Sequence, residues 1–165
     1  MDIQLKTLLL TRYDKEKHEQ LKNAFETGES KSNFIHQIGE RLELSTNKQY
    51  IYQSAFVIED LNTPVGYLFI SNMLNDEVFL EYSILKDFRQ QGYASTTLLE
   101  TTEYLFENHN LKSIRLDIEP SNHNSIRVAE KCGYELDEED YESKNYTGKM
   151  QFVKDNQYYI SKRRK

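Results

Sequence analysis

A short segment, residues 89–94 (RQQGYA), carries the residue types from which proteins build an anion-binding loop. Gly92 has no Cβ, so backbone N–H groups beside it can approach an anion closely. Arg89 offers a planar cationic fork that suits phosphate oxygens. A helix that begins near Ala94 would add its free N–H groups and its dipole. The segment predicts a phosphate-binding loop, and the alternative is a solvent-facing loop with one glycine and one arginine.

The same segment differs from two familiar phosphate-binding motifs. A Walker loop would continue with Gly-Lys-Ser/Thr, and a dinucleotide fingerprint would need three glycines in a short span. Residues 89–94 are instead followed by Ser95 and Thr96, whose hydroxyl groups add donors to the first turn of the predicted helix. The segment is therefore neither of those two motifs.

A second segment, residues 122–134 (NHNSIRVAEKCGY), follows the next predicted strand. With it, the sequence resembles the GNAT superfamily of acyl-CoA-dependent N-acyltransferases, and most closely the branch that includes the ribosomal-protein N-terminal acetyltransferases. Residues 89–94 match that family's Arg/Gln-x-x-Gly-x-Gly/Ala pyrophosphate loop. Residues 122–134 match its Asn-x-x-Ser helix and its Glu-Lys-x-Gly-Phe/Tyr end. The resemblance is specific over residues 50–135 and general elsewhere.

The resemblance implies that acetyl-CoA lies in a cleft where two parallel strands, 78–85 and 113–118, separate. Backbone groups of Ile84 and Leu85 would pair with the pantetheine arm, and an N–H group near Leu85 would hold the thioester oxygen. Asn122 is also suited to an ordinary helix cap, and the two roles are compatible. The other cofactor-binding residues that the resemblance implies are Arg89, Gln90, Gln91, Gly92, Tyr93, Ala94, Ser95, Asn122, Asn124 and Ser125.

The implied reaction is direct attack of a neutral primary amine on the thioester. A lysine-like amine, with a pKa of about 10.4, needs a general base, whereas a protein α-amine at about 7.7–8.0 needs less help. Many GNAT enzymes carry a tyrosine general acid seven residues after the asparagine of the second helix, and this sequence has Ala129 there. We expect Glu81 to be the base, unless it is a surface-facing strand residue, and Ser125 to protonate or hydrogen-bond the sulfur. Asp117 and Tyr82 are weaker candidates.

The hydrophobic pattern predicts the elements that position these residues. Strands are expected at 3–11, 50–58, 65–70, 78–85, 113–118, 150–153 and 158–160. Helices are expected at 14–26, from Ser30 or Ser32 to Leu42, at 94–108 and at 122–132. The short connections between 50 and 85 favour an antiparallel meander, and the helix between two strands implies a parallel pair. The predicted fold class is α/β or α+β. One GNAT-like domain at 1–165 would hold a mixed, mostly antiparallel sheet with a central splayed parallel pair, flanked by helices.

Composition limits the classes of function. The 165 residues suit one domain, and 21 Lys and Arg against 27 Asp and Glu give a net charge of -6. That charge argues against a basic nucleic-acid-binding surface. With Cys132 as the one cysteine and no apolar run that could span a bilayer, we expect a cytoplasmic protein with no membrane association. The 4 histidines lack ligand spacing, so no metal site is expected.

The expected partner is an amine-bearing acceptor, either a small molecule or a peptide N-terminus, and the expected state is a monomer or a homodimer. The acidic run at 137–142 is typical of a solvated loop, although it would also attract a cationic acceptor. Two alternatives remain. One is a CoA-binding regulatory protein without catalysis, which Ala129 motivates, and the other is an unrelated phosphate-binding module.

Overall fold

Eight strands and two helices lie in residues 2–19, 21, 53–72, 76–138 and 150–156, the part of the chain that this computed structural model describes. The strands are β1 (Ile3–Gln4), β2 (Leu9–Arg12), β3 (Gln53–Asp60), β4 (Thr63–Asn72), β5 (Glu77–Ile84), β6 (Ser113–Ile118), β7 (Glu135–Leu136) and β8 (Met150–Asp155). The helices are α1 (Tyr93–Asn108) and α2 (His123–Lys131), and a 3-10 turn covers Lys86–Phe88.

The strands form one mixed sheet in the order β1-β2-β3-β4-β5-β6-β8-β7. Short connections make β3, β4 and β5 an antiparallel meander, as the sequence predicts. The chain then crosses over through α1, so that β6 lies parallel to β5. All other neighbours in the described sheet are antiparallel. The predicted fold class is confirmed.

The parallel strands β5 and β6 separate soon after they meet. Their pairing covers three positions, from Glu77 opposite Ser113 to Phe79 opposite Arg115. Beyond that point β5 continues to Ile84 paired with β4 alone, and β6 continues to Ile118 paired with β8 alone. The result is a gap in the middle of the sheet, at the carboxyl ends of two parallel strands. The predicted splayed pair is present.

Two apolar clusters cover the two faces of the sheet. Leu98 and Leu105 of α1 and Ala129 of α2 are fully buried against one face, together with residues such as Leu68 and Ile114. On the other face, Tyr13, Leu21, Val57, Tyr67, Phe69 and Leu85 form a second cluster. The alternation of side chains along each strand feeds both layers. The separated ends of β5 and β6 therefore lie between two packed layers.

The predicted single strand at 3–11 is wrong, because the chain turns back between β1 and β2. Leu5 N–H donates to Leu8 O over 2.9 Å, and Ile3 pairs with Leu10. The buried carboxylate of Glu100 on α1 accepts from Thr7 N (3.0 Å), Thr7 Oγ1 (2.6 Å) and Leu8 N (3.3 Å). A carboxylate more than 90 residues away thus satisfies the polar groups of this turn, and the local sequence carries no sign of it.

Other element boundaries shift by a few residues. β4 begins at Thr63, because the turn needs only Leu61 and Asn62, both with positive φ. Pro64 fits within β4 because it lies opposite a register irregularity between Ile58 and Glu59. Four expected elements lie wholly or partly outside the described residues: the helix between Ser30 and Leu42, the strand at 158–160, residues 20 and 22–26 of the helix at 14–26, and most of the acidic run.

Candidate active site

The start of α1 has the geometry expected of an anion-binding loop. Gly92 is the N-cap with φ of 84°, and Gln90 also has a positive φ, 62°. A Cβ on Gly92 would have no neighbour within 4 Å, so the left-handed backbone is what favours glycine there. No side chain caps the helix, and its first backbone bond runs from Thr96 N to Gly92 O. The N–H groups ahead of Thr96 therefore have no intrahelical acceptor.

Arg89 lies beside the loop and reaches back to the end of β5. Its Nε donates to the carbonyl oxygen of Ile84 over 3.0 Å, while the side chain remains exposed. Gln91 makes a comparable local bond, from Nε2 to Asp87 O over 3.1 Å. The Arg89 cation thus lies between the strand end and the loop, where the sequence predicted a phosphate ligand.

Both backbone polar groups of Leu85 have partners within the chain. Its N–H donates to Val65 O over 2.8 Å, and its carbonyl accepts from Phe88 N over 2.9 Å. The side chain is buried in the second cluster. The expectation that the backbone groups of Leu85 pair with the pantetheine arm is therefore wrong, because both groups already have partners within the chain. The N–H group expected near Leu85 for the thioester oxygen stays a prediction.

The open edge of β5 faces the gap. Backbone groups alternate sides along a strand, and Leu85 N–H points towards β4, so those of Ile84 and Tyr82 point towards β6. Because β6 has left the ladder there, the backbone groups of Tyr82 and the N–H group of Ile84 form an edge to which an extended ligand can pair, while the Ile84 carbonyl already accepts from Arg89 Nε. The pairing of Ile84 with a ligand stays a prediction, and the backbone groups of Tyr82, unlike those of Leu85, also point towards the gap.

Gly66 on β4 lets the backbones of β4 and β5 approach each other unusually closely, on the side of β5 away from the gap. It pairs with Ile84, and a Cβ at this position would overlap Ser83 O and lie 3.1 Å from Ile84 Cα. Only glycine lets the two backbones approach this closely. Gly66 therefore helps to set the position of the open edge.

α2 follows β6 as α1 follows β5, so each helix starts after one of the two separated strands. Asn122 is the N-cap of α2 and accepts from Ser125 N over 3.2 Å, so the capping role is confirmed. Asn124 is exposed and accepts from Arg127 Nη2 over 2.7 Å. Ser125 is half-buried in the first turn. The amide nitrogen of Asn122 and the Ser125 hydroxyl remain suited to a ligand.

Glu81 and Ser125 lie on opposite faces of the sheet. Glu81 is exposed and follows the alternation of Phe79 and Ser83, opposite Phe69 on β4, which belongs to the second cluster. Ser125 belongs to α2, which packs on the other face. A molecule lying in the gap between β5 and β6 would be accessible from both sides. The two predicted catalytic groups can therefore act only across that gap.

Several buried or half-buried side chains pack on the helix side of the sheet, in the same cluster as α1 and α2. Burial raises the pKa of Tyr82, and also that of Tyr134, whose hydroxyl lies 2.7 Å from Thr102 Oγ1. Cys132 is buried with Sγ 3.6 Å from Ser95 O, and burial raises its pKa, which disfavours a reactive thiolate. Ala129 is fully buried in the same cluster. Tyr82 is thus a phenol beside the gap that remains protonated at neutral pH.

A polar network at the base of the gap was not predicted. Glu77 Oε2 accepts from Ser113 Oγ over 2.5 Å and from Arg115 Nε over 2.6 Å. Arg115 Nη1 also donates to Asp137 (2.9 Å) and Gln151 (3.1 Å). Burial raises the pKa of Glu77, but the hydrogen bonds from Ser113 and Arg115 outweigh it and hold the pKa below its usual value. The network joins β5, β6 and β8 where the strands are still paired.

A second unpredicted contact reaches the loop itself. The Tyr93 hydroxyl donates to Asp60 Oδ2 over 2.7 Å, and this bond raises the pKa of Tyr93. It joins the first residue of α1 to the last residue of β3. Residues so distant in sequence give no joint signal in a hydrophobic pattern.

Within the described ranges, no three His, Cys, Asp or Glu side chains are grouped so that they could hold a metal ion. Neither α1 nor α2 is long and apolar enough to cross a membrane.

Comparison with known proteins adds independent evidence. The model of the acetyltransferase (GNAT) domain family matches residues 8–135. No curated protein matches the chain.

Solved structures share the fold at low sequence identity. A putative ribosomal-protein-serine acetyltransferase from Vibrio cholerae has a TM-score of 0.74 and 17% identity over 94% of this chain and 98% of that one. The ribosomal L7/L12 α-N-protein acetyltransferase RimL, in complex with coenzyme A, has a TM-score of 0.69 and 16% identity over 94% and 98%. A chimera of the spermidine N-acetyltransferase SpeG from Vibrio cholerae and hSSAT has a TM-score of 0.69 and 16% identity over 94% and 99%.

Proposed function

Since the chain belongs to the GNAT acetyltransferase family, we propose that it moves an acetyl group from acetyl-CoA directly to a primary amine. The acceptor would be a small molecule or a protein N-terminus. The observation that carries the proposal is the gap between β5 and β6. It opens beside the start of α1, where Gly92 is the N-cap and no side chain caps the free N–H groups. Such an arrangement offers a strand edge to an amide-bearing arm and backbone N–H groups to a diphosphate.

The binding roles follow from position. The loop from Arg89 to Ser95 would hold the diphosphate through its backbone donors and the Arg89 guanidinium. Asn122, Asn124 and Ser125 would contact the cofactor from α2. The backbone groups of Tyr82 and the N–H group of Ile84 would pair with the pantetheine arm, and one of these N–H groups, near Leu85, would hold the thioester oxygen. RimL was solved with coenzyme A, which supports the cofactor class.

The chemistry needs one proton acceptor and one stabilised leaving group. The amine nitrogen attacks the carbonyl carbon, the C–S bond breaks, and the sulfur leaves as a thiolate. Glu81 would take the proton from the amine, directly or through a water molecule. Ser125 would hydrogen-bond the sulfur from the helix side, with the Tyr82 phenol as a second donor. A thiol pKa of about 8.5 makes thiolate departure feasible with modest help.

A second candidate function is a regulatory protein that binds coenzyme A without catalysis. The specific observation in its favour is Ala129, which stands where many GNAT enzymes carry a tyrosine acid and is fully buried here. Acetylation of an amine by the purified protein would exclude it.

The setting of the protein is also a proposal. We place it in the cytoplasm as a single domain over 1–165, monomeric or homodimeric. The lone, buried Cys132 and the ordinary acidic composition support a reducing compartment. Relatives named for a ribosomal protein and for spermidine support both acceptor classes.

The first experiment is a melting curve with acetyl-CoA. A ligand at 100 times its Kd stabilises by about 2.7 kcal/mol, which raises the Tm of a chain of this size by roughly 5–11 °C. No shift at millimolar acetyl-CoA would exclude the proposed function.

The second experiment tests turnover with a panel of peptides, polyamines and amino acids. Glu81→Gln should slow acetylation of a lysine-like amine by about 10²-fold or more while acetyl-CoA still raises the Tm. The matched control is Glu135→Gln, an exposed strand glutamate at the edge of the sheet, which should keep its turnover. Equal rates for Glu81→Gln and the wild type from pH 6 to 9 would remove Glu81 from the mechanism.

A further inference from the structure

One side-chain hydrogen bond ties the start of α1 to a distant part of the sheet. The Tyr93 hydroxyl donates to Asp60 Oδ2 over 2.7 Å, and the two residues lie 33 apart in sequence. We infer that Asp60 and the Tyr93 side chain are positioning residues, which hold the backbone of residues 89–95 in the geometry that binds acetyl-CoA. The inference rests on the proposed function, because it concerns how that function's binding loop is held.

The position of Asp60 is fixed by the pairing of β3 with β4. Asp60 ends β3 and pairs with Thr63 at the start of β4, across a turn of only two residues. Leu61 and Asn62 in that turn have φ of 47° and 66°, the left-handed pair that matches the twist of an antiparallel hairpin. A group at the base of such a turn has little freedom to move. The carboxylate of Asp60 is therefore held by the sheet and not by a loop.

The binding loop has few other constraints. Gly92 caps α1 without a side-chain hydrogen bond, and both Gly92 and Gln90 have left-handed backbones. In the part of the chain that the structure describes, the other side-chain bonds to the loop are local or weak. Arg89 donates to Ile84 O, Gln91 donates to Asp87 O, and the Cys132 thiol donates to Ser95 O. Within the described residues, the bond to Asp60 is thus the strong link between the loop and a distant element.

The chemistry of the pair fits a positioning role. A carboxylate close to a diphosphate site repels the ligand, so Asp60 is a poor choice for direct binding. The bond raises the pKa of Tyr93, so the phenol stays protonated and donates throughout the neutral range. The ring of Tyr93 also meets Phe88 edge-on, with centroids 6.1 Å apart. The aromatic contact and the hydrogen bond fix the first residue of α1 from two sides.

Calorimetric titration with acetyl-CoA tests the inference without an acceptor. Asp60→Ala and Tyr93→Phe should each raise the Kd for acetyl-CoA about two- to fivefold, as expected for the loss of a partly exposed polar pair. Asp60→Asn should stay within about twofold of the wild type, because its side-chain oxygen still accepts the phenol proton. The double variant should bind no more weakly than either single variant, since both remove the same bond.

Controls separate positioning from general damage. Tyr104→Phe, on the same helix but near its far end, should keep the wild-type Kd. Wild-type affinity in Asp60→Ala and Tyr93→Phe would overturn the inference, as would a double variant whose loss equals the product of the single losses. The inference would also be overturned if the Kd of Asp60→Asn for acetyl-CoA rose by more than about twofold over the wild type. If the wild type itself binds no acetyl-CoA, the proposed function fails and this inference falls with it.

Discussion

Replacing Gly66 by alanine tests how closely β4 must approach β5 beside the gap. The new Cβ would overlap Ser83 O and lie 3.1 Å from Ile84 Cα, and both neighbours are backbone atoms that cannot rotate away. Overpacking of this kind costs about 1–3 kcal/mol. For a chain of this length that lowers the Tm by roughly 2–12 °C. Because β5 must shift, Ile84 also moves, so acetyl-CoA affinity should fall together with stability.

Melting curves and titration calorimetry of Gly66→Ala measure both effects. The control is Gly133→Ala, which introduces strain through its left-handed φ of 85° but meets only the flexible end of Lys154. That variant should lose about 1–2 kcal/mol of stability and keep the wild-type affinity. The reasoning is refuted if Gly66→Ala melts within 1 °C of the wild type. It is equally refuted if Gly66→Ala is destabilised but binds acetyl-CoA as well as Gly133→Ala does.

Two further predictions concern the buried carboxylates. Glu100→Ala should cost about 2–4 kcal/mol, measured by urea unfolding, because it leaves the donors of Thr7 and Leu8 without partners. Glu103→Ala, which removes a partly exposed ion pair with Lys6, should lower the unfolding midpoint far less. The pKa of Glu77 is lowered in the folded state, so its stabilisation is present above the unfolded-state pKa of about 4.3 and is lost as the pH falls through the folded value. The Tm of Glu77→Gln should therefore lie below that of the wild type at pH 7 and approach it towards pH 3, and parallel curves would contradict this prediction.

The sequence was sufficient for those parts of the site that depend on local pattern. Gly92 at a strand-to-helix junction marks the loop, and the alternation of Ile114, Leu116 and Ile118 identifies β6. Asn122 followed by Ser125 predicts a helix cap, and the structure contains it. Each of these signals lies within one element, where residue type and backbone geometry are directly linked.

The parts that the sequence did not predict depend on contacts between distant residues. Glu100 accepts hydrogen bonds from the turn that separates β1 and β2, and Asp60 accepts one from Tyr93. In both cases the two partners lie far apart in sequence, so no local pattern links them. Leu85 was expected to offer its backbone groups to a ligand, but its N–H group donates to the carbonyl of Val65 on the neighbouring strand. Hydrophobic periodicity specifies which face a side chain occupies, but not which polar group on another element it meets.

The strand order has a consequence for how the chain is made. β8 lies between β6 and β7 although it follows both in sequence. Until residues 150–155 have left the ribosome, β6 has an unpaired edge and β7 has no partner within the described sheet. A nascent or truncated chain that stops before Met150 would thus expose a strand edge rich in Ile and Leu, which favours association with other chains. The described sheet can therefore be completed only after residues 150–155 have been synthesised.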